Sequence, residues 1–359
     1  MKSLNIALVG CGAIAEYHKR SVAVLGDRAR ITAVVDLDRK RANQFASEAG
    51  SGVAVFSSLQ QALADGEFDA AVVMLPHDLH ESAAQACFDA GKHLLLEKPM
   101  APTLDACDRI MSAARCVETV FMVGENTHYW DIVKHAHQLI ESGIIGNVIS
   151  GQAQYITSLD QTWYPPNSWR FNRKRAGGGV AIDGGSHWIR PLRIWMGEVR
   201  QVIATTARPI EKMEGESLVH SMWKFESGAQ GTYEFTLVDA AVGPVTWFRI
   251  TGSRGQLIVD TDLYGGATLR LLDSKHPDGT TVRKSEGYFS SFAPEMANFV
   301  AAALDGSPLS AGPEEAIADL KVVLAMYRSA DHGRWEDVAL PVGPVDRRAT
   351  QDVGSFPEV

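Results

Sequence analysis

A lysine stands where an apolar run ends, in GKHLLLEKP at residues 91–99. Lys98 is poorly placed there for solubility. It is well placed for chemistry, because the crevices of open α/β sheets lie outside the carboxyl ends of the strands. Its ammonium group can hold and polarise an oxygen on which negative charge develops. A second cluster, GGGVAIDGGSHW at 177–188, sets Asp183 and His187 four residues apart beside three glycines. On a helix that spacing puts both on one face, but the intervening Gly-Gly-Ser favours a helix that starts here over one already under way. Histidine titrates near neutrality and serves as base or acid. A lone histidine is more often structural, and its pairing with Asp183 beside the glycines favours function. No third soft ligand lies nearby, so a metal site is not expected.

These residues need elements to carry them. The apolar run LNIALV at 4–9 passes directly into GCGAIA at 10–15. Gly10 permits a tight turn, Gly12 removes a side chain where a pyrophosphate would approach, and Ala15 lets the following helix, expected from about Ala13, pack closely on the sheet. Free N–H groups at that helix start suit phosphates. The pattern alone is weak, since glycines also serve ordinary turns. A second strand is predicted at 31–35, ending at Asp36, whose carboxylate can accept hydrogen bonds from ribose hydroxyls. Asp36 favours NAD over NADP by charge, while Arg39 could offset or bind a 2′-phosphate; a turn or helix-cap role for Asp36 is the bland alternative. Alternation continues with a helix at 39–49, strand 53–56, helix 57–65, strand 69–75, helix 80–90, strand 92–96, helix 103–115 and strand 117–123. That rhythm predicts a mostly parallel sheet covered on both faces, with His80 capping or opening its crossover helix.

The pattern changes after residue 123. GENTHYW at 124–130 is polar and aromatic, a helix is predicted over 131–142, and a strand begins at 147–156. TWYPPNSWRF at 162–171 reads as an aromatic loop covering a substrate or nicotinamide, or as a hydrophobic plug between domains. Within it, Tyr164 and Trp169 offer ring faces, and Arg170 can bind a ligand oxygen or form a structural ion pair. Residues 199–273 are strand-rich, with hairpins turning at Ser-Gly and at Gly-Ser-Arg-Gly, and 290–305 and 313–333 are helical. An open antiparallel sheet needs its exposed edges and apolar face covered, and self-association is the expected cover. The tail after Pro341 reads as a polar arm.

Composition sets outer bounds. At 359 residues, 45% hydrophobic and 21% charged, the chain can build two or three cores. With 34 basic against 43 acidic side chains and a net charge of -9, a broad nucleic-acid face is disfavoured. Cys11, Cys87, Cys107 and Cys116 form neither a disulfide framework nor a CxxC site. The first residues read as a strand rather than a leader, and no apolar stretch is long enough to span a membrane, so a cytoplasmic location is the expectation.

GCGAIA, PHDLH at 76–80, GKHLLLEKP, GGGVAIDGGSH and AMYRSADHGRW at 325–335 together resemble the glucose-fructose oxidoreductase, inositol dehydrogenase and rhizopine-catabolism (Gfo/Idh/MocA) family, over nearly the whole chain. The resemblance implies an N-terminal Rossmann domain, residues 1–123, and a C-terminal α/β domain, residues 124–359, with a large, mostly antiparallel open sheet through which members form dimers or tetramers. It implies hydride transfer between NAD, or NADP, and a hydroxyl or ketone of a sugar, cyclitol or related polyol. Lys98, Asp183 and His187 match the family's catalytic lysine, carboxylate and acid/base histidine. Gly10, Gly12, Ala13 and Ile14 match the pyrophosphate turn, and Asp36 the ribose ligand. Leu75, Pro76 and His80 lie alongside the dinucleotide, Glu97 and Pro99 frame the lysine, and Asn126 falls where many members have a polar loop residue. Arg190 replaces a common aspartate, which suits either an anionic substrate or a domain-packing ion pair, and Asp78 replaces a common asparagine. A tightly held cofactor serving elimination or glycoside cleavage, and a non-catalytic nucleotide sensor, are the alternatives the resemblance leaves open.

Overall fold

The computed structural model describes residues 2–239, 246–262 and 266–339. The polar arm after Pro341 lies outside the described residues.

The front of the chain alternates as its apolar runs require. β1 (Leu4–Val9), α1 (Ala15–Ala23), β2 (Ala29–Val35), α2 (Arg39–Ala49), β3 (Ala54–Phe56), α3 (Leu59–Asp65), β4 (Ala70–Val73), α4 (His80–Asp89), β5 (His93–Glu97), α5 (Leu104–Ala114) and β6 (Phe121–Gly124) follow in order. The strands pair in parallel in the order β3-β2-β1-β4-β5-β6. β4 is buried along its whole length, as are Leu94, Leu95 and Leu96 of β5. That is why these strands read as continuous apolar runs, and each buried leucine contributes about 1.5–3 kcal/mol. Side chains of Asp38, Ser58 and Thr103 accept backbone N–H bonds at the starts of α2, α3 and α5. Gly10 has φ +96, and a Cβ there would lie 2.6 Å from the Met74 carbonyl oxygen, so only glycine makes this turn.

After α6 (Asp131–Glu141) the chain builds a second sheet. β7 (Val148–Ser158) precedes three short helices: α7 (Arg173–Ala176), α8 (Val180–Asp183) and α9 (Ser186–Met196). β8 (Val199–Ala207), β9 (Leu218–Phe225), β10 (Gln230–Val238), β11 (Thr246–Gly252), β12 (Gly255–Asp262), β13 (Gly266–Asp273) and β14 (Thr280–Ser285) complete most of it. α10 (Phe292–Asp305), α11 (Pro313–His332) and the short β15 (Glu336–Asp337) end the described chain. The order is β14-β13-β12-β11-β7-β10-β9-β8-β15. Both predicted hairpins are present, β9–β10 and β11–β12. The exception to antiparallel pairing is β7 with β10. In β9 burial alternates residue by residue, as a strand with one covered face requires. α9 lies on β7 and α11 on β8, whereas α10 returns to the first domain and packs on α1. Among the described residues no helix is long and apolar enough to cross a membrane.

Candidate active site

One cavity of about 730 Å³ runs between the two sheets. At one end it is lined by Gly12, Ala13 and Ile14 of the glycine turn, with Arg41 and Leu75. At the other it is lined by Glu97, Lys98, Asp183 and His187, with walls from Tyr155, Tyr164, Trp169, Trp188, Phe235 and Tyr288. A Cβ on Gly12 would enter open space, and α1 opens directly behind the turn, its positive end toward the cavity. These residues fit a dinucleotide: a backbone cradle for phosphates leads to a chamber holding a cation, a carboxylate and an imidazole. Among the described residues no group of three His, Cys, Asp or Glu is placed to hold a metal ion.

Lys98 follows β5, and Asp183 closes the single turn α8. Glu216 fixes that turn from behind: its carboxylate accepts the N–H groups of Gly179 and Ala181, each at 2.9 Å, and the Tyr327 hydroxyl at 2.9 Å. Gly177, Gly178 and Gly179 therefore allow a close approach of protein to protein. A side chain at Gly179 would collide with the Glu216 backbone, and one at Gly178 with the Tyr327 ring. Lys98 Nζ donates to the Asp183 carbonyl oxygen and lies 3.6 Å from Asp183 Oδ1. Arg170 Nε donates to Oδ2 at 2.7 Å, and His77 Nε2 stands 3.6 Å from Oδ1. Burial alone would raise the Asp183 pKa, but the charges of Arg170 and Lys98 outweigh it and hold the carboxyl below the usual carboxylate range. Burial keeps His77 neutral, its pKa well below the ordinary value.

His187 sits in the first turn of α9, which starts at Ser186 as the Gly-Gly-Ser predicts. Its partner is not Asp183. His187 Nδ1 lies 2.6 Å from Glu125 Oε1, and among the described residues no hydrogen bond or ion pair joins Asp183 to His187. Glu125 is buried, which by itself raises its pKa, yet His187 and Arg190 overcome this and keep it well below the ordinary value. An ionised Glu125 accepts from Nδ1–H, which leaves Nε2 free.

Several expected site residues lie elsewhere. Arg39 is exposed and outside the cavity. Because Asp38 caps α2, Arg41 turns back instead, its Nη2 donating to Asp36 at 2.9 Å. Asp36 also accepts the N–H groups of Cys11 and Asp38, each at 2.8 Å. Asn126 is buried between Ser291 and Tyr288 and does not line the cavity. Pro76 and His80 sit behind the lining, with His80 spanning the carbonyls of Pro99 and Leu75 at 2.8 Å each. Arg190 is a buried packing residue, its Nε and Nη2 both donating to Asp319 Oδ2 at 2.9 and 2.6 Å. Of its two readings, the domain-packing pair is the one the structure holds. Tyr164, Trp169 and Arg170 do line the chamber, and the guanidinium lies 4.5 Å over Trp169. The loop also bridges the domains, since Trp163 and Tyr17 both stack on Phe289. Glu125 and His77 were legible only as members of GENTHYW and PHDLH; nothing local marked Tyr288 or Glu216.

Beneath the chamber Glu295 of α10 is fully buried, with neither carboxyl oxygen hydrogen-bonded to protein. Burial, then Glu97 and Glu125, push its pKa well above the ordinary 4.5, so the folded protein holds a proton there. A raised carboxyl stabilises fully below its unfolded pKa and loses that contribution as pH rises through the folded value. Glu295→Gln, which needs no proton, should therefore raise the melting temperature relative to wild type. The gain should be absent below about pH 4 and grow above it, by roughly 2–4 °C for each kcal/mol recovered. A calorimetric pH series checks this.

Residues 4–125 match the family described as "Oxidoreductase family, NAD-binding Rossmann fold", and residues 133–258 match its GFO/IDH/MocA C-terminal domain. A 1,5-anhydro-D-fructose reductase from Ensifer adhaerens is 28% identical over 92% of this chain and 97% of its own. The crystal structure of an oxidoreductase from Thermotoga maritima superposes with a TM-score of 0.83 at 26% identity, covering 94% of this chain and 99% of its own. A levoglucosan dehydrogenase solved with NADH and levoglucosan gives a TM-score of 0.82 at 23% identity, covering 94% and 100%.

Proposed function

The chain belongs to the Gfo/Idh/MocA family of NAD-binding oxidoreductases, and from that premise we propose that it transfers a hydride between a nicotinamide dinucleotide and a secondary hydroxyl or ketone of a sugar, cyclitol or related polyol. The observation that carries this reading is the convergence of Lys98, Asp183 and His187 with the glycine turn on one cavity. The aromatic walls suit the C–H faces of a carbohydrate ring, and two of the relatives are named for sugar derivatives.

The dinucleotide, when bound, supplies the hydride acceptor at nicotinamide C4. Gly12, Ala13 and Ile14 would hold its phosphates and Asp36 its ribose. Lys98 binds the reacting oxygen and stabilises the negative charge that develops on it. His187 Nε2 takes the hydroxyl proton and returns it in the reverse direction. Asp183 anchors Lys98 and Arg170 rather than orienting the imidazole, a task that falls to Glu125. We take NAD as the preferred cofactor because Asp36 repels a 2′-phosphate, although Arg41 offsets part of its charge.

The test is reduction of NAD or NADP, followed at 340 nm across a panel of sugars, sugar acids and cyclitols. Turnover with a polyol is expected. A cofactor that stays bound with no net reduction while a glycoside is cleaved would favour the elimination-type alternative, and binding without turnover would favour a sensor. Asp36→Ala should raise the NADP-to-NAD ratio of kcat/KM by about tenfold, or ~1.4 kcal/mol; an unchanged ratio removes Asp36 as the discriminator.

A further inference from the structure

Behind Lys98 lies a second, small cavity of about 10 Å³, with Lys98, Pro99, Glu125, Ser186, Ala316 and Asp319 among its lining. One water molecule needs roughly 10–15 Å³. Three buried polar atoms in this region make no hydrogen bond to protein: Glu125 Oε2, Ser186 Oγ and Arg190 Nη1. Two of them belong to residues whose other polar atoms are held by protein. Glu125 Oε1 is held by His187 and Thr127. Arg190 Nε and Nη2 are held by Asp319, whose other oxygen takes Arg193. Ser186, whose hydroxyl lies beside the carboxylate, and Arg190, through its charge, both help hold Glu125 ionised. Glu125 and Ser186 line this water-sized space, and Arg190 is held on Asp319, which lines it too; one bridging water there would serve the unpaired atoms.

We propose that this cavity binds one water molecule, and that Arg190 and Ser186 act through it as positioning residues that hold Glu125 in place behind His187. Arg190 thereby gains a role in the reaction as well as in packing. An isolated buried carboxylate beside an imidazole would bind the imidazole's proton too firmly for the ring to release it. A cation and two donors at the far oxygen offset this by drawing charge away from the pair. The other charged or titratable groups around the pair are Lys98, Asp183 and Glu97 at the chamber, Tyr288, Glu295 of α10, His128 beside α6, and Asp319 with Arg193 behind Arg190. None is altered in the single variants below.

The inference rests on His187 being the proton acceptor of the proposed reaction, but its primary readout does not need turnover. The ring nitrogens of His187 are followed by NMR against pH in the full-length protein labelled with 15N-histidine, assigned by comparison with His187→Ala. Arg190→Met should move the midpoint of the Glu125–His187 pair upward by about one pH unit, a tenfold change in proton affinity. Ala316→Val, which fills the cavity without changing a charge, should move it in the same direction by a smaller amount. Arg190→Lys should bring it back toward wild type, an outcome a purely structural arginine would not produce. Arg190→Met/Asp319→Asn removes both partners of the buried pair and serves if the single variant does not fold. A midpoint unchanged in Arg190→Met, or in the double variant that replaces it, or in Ala316→Val, overturns the proposal. In active enzyme the acid limb of kcat/KM should shift with the NMR midpoint. A shifted midpoint in a protein that turns over no polyol would leave this inference standing and sink the dehydrogenase reading instead.

Discussion

Lys98→Met should lower the rate of hydride transfer by about 10²–10³-fold, the scale expected when a preorganised donor to a developing oxyanion is lost. The position concentrates three circumstances in one side chain. Lys98 leaves β5 at the carboxyl edge of the parallel sheet, so backbone geometry delivers it to the crevice. Its ammonium group is tethered from below by the Asp183 carbonyl and carboxylate. Arg170 shares that carboxylate, so the lysine is not fully neutralised and keeps a donor for a ligand oxygen. Methionine preserves the stem and removes the charge, which makes the folded state a poor explanation for any loss. Stopped-flow formation of NADH separates the chemical step from product release. A wild-type transient in Lys98→Met would end the assignment.

His187→Ala should reduce the same step by about 10²–10⁴-fold and flatten the acid limb of the pH profile in the oxidative direction. The two features belong together: a base that is removed no longer has to be deprotonated, so the residual rate stops depending on that titration. Glu125 and Asp183 do not supply a substitute limb, because both stay ionised well below neutrality. The cavity left by the ring opens on the chamber, so added imidazole should recover part of the rate. A steep acid limb surviving in His187→Ala would assign the titration to another group.

The parts of the site that could be read from the chain alone share one property: the residue sits at a fixed register from a strand end or a glycine turn. Lys98 after HLLLE, Gly10 and Gly12 after LNIALV, and His187 after Gly-Gly-Ser are of this kind. Glu125 escaped because its meaning depends on His187, 62 residues further on. Arg190 was ambiguous until Asp319, 129 residues away, supplied its partner. Arg39 and Arg41 differ only in which way one turn of α2 points, which the Asp38 cap decides. In the second sheet, β9 and the first part of β10 were legible because burial alternates along them. β14, with the sequence TTVRKS at the sheet edge, buries no residue and announced nothing. The parallel pairing of β7 with β10 is a matter of topology, and no local pattern encodes it.

The return of α10 onto α1 has a consequence for how the molecule comes into being. His18, Ser21 and Val22 of α1 are buried, and the α10 residues Met296, Phe299 and Val300 join the same apolar cluster as β1. A ribosome has therefore released the first sheet, and all but the short last strand of the second, before the segment that finishes the first domain has emerged. Until then the nascent nucleotide-binding half exposes the apolar flank that α10 will cover, and the order of synthesis and the order of completion run in opposite directions for this domain. A dinucleotide already held by the glycine turn would favour the early half's native form by mass action. Cofactor supply during translation then becomes a determinant of yield, separate from its use in turnover.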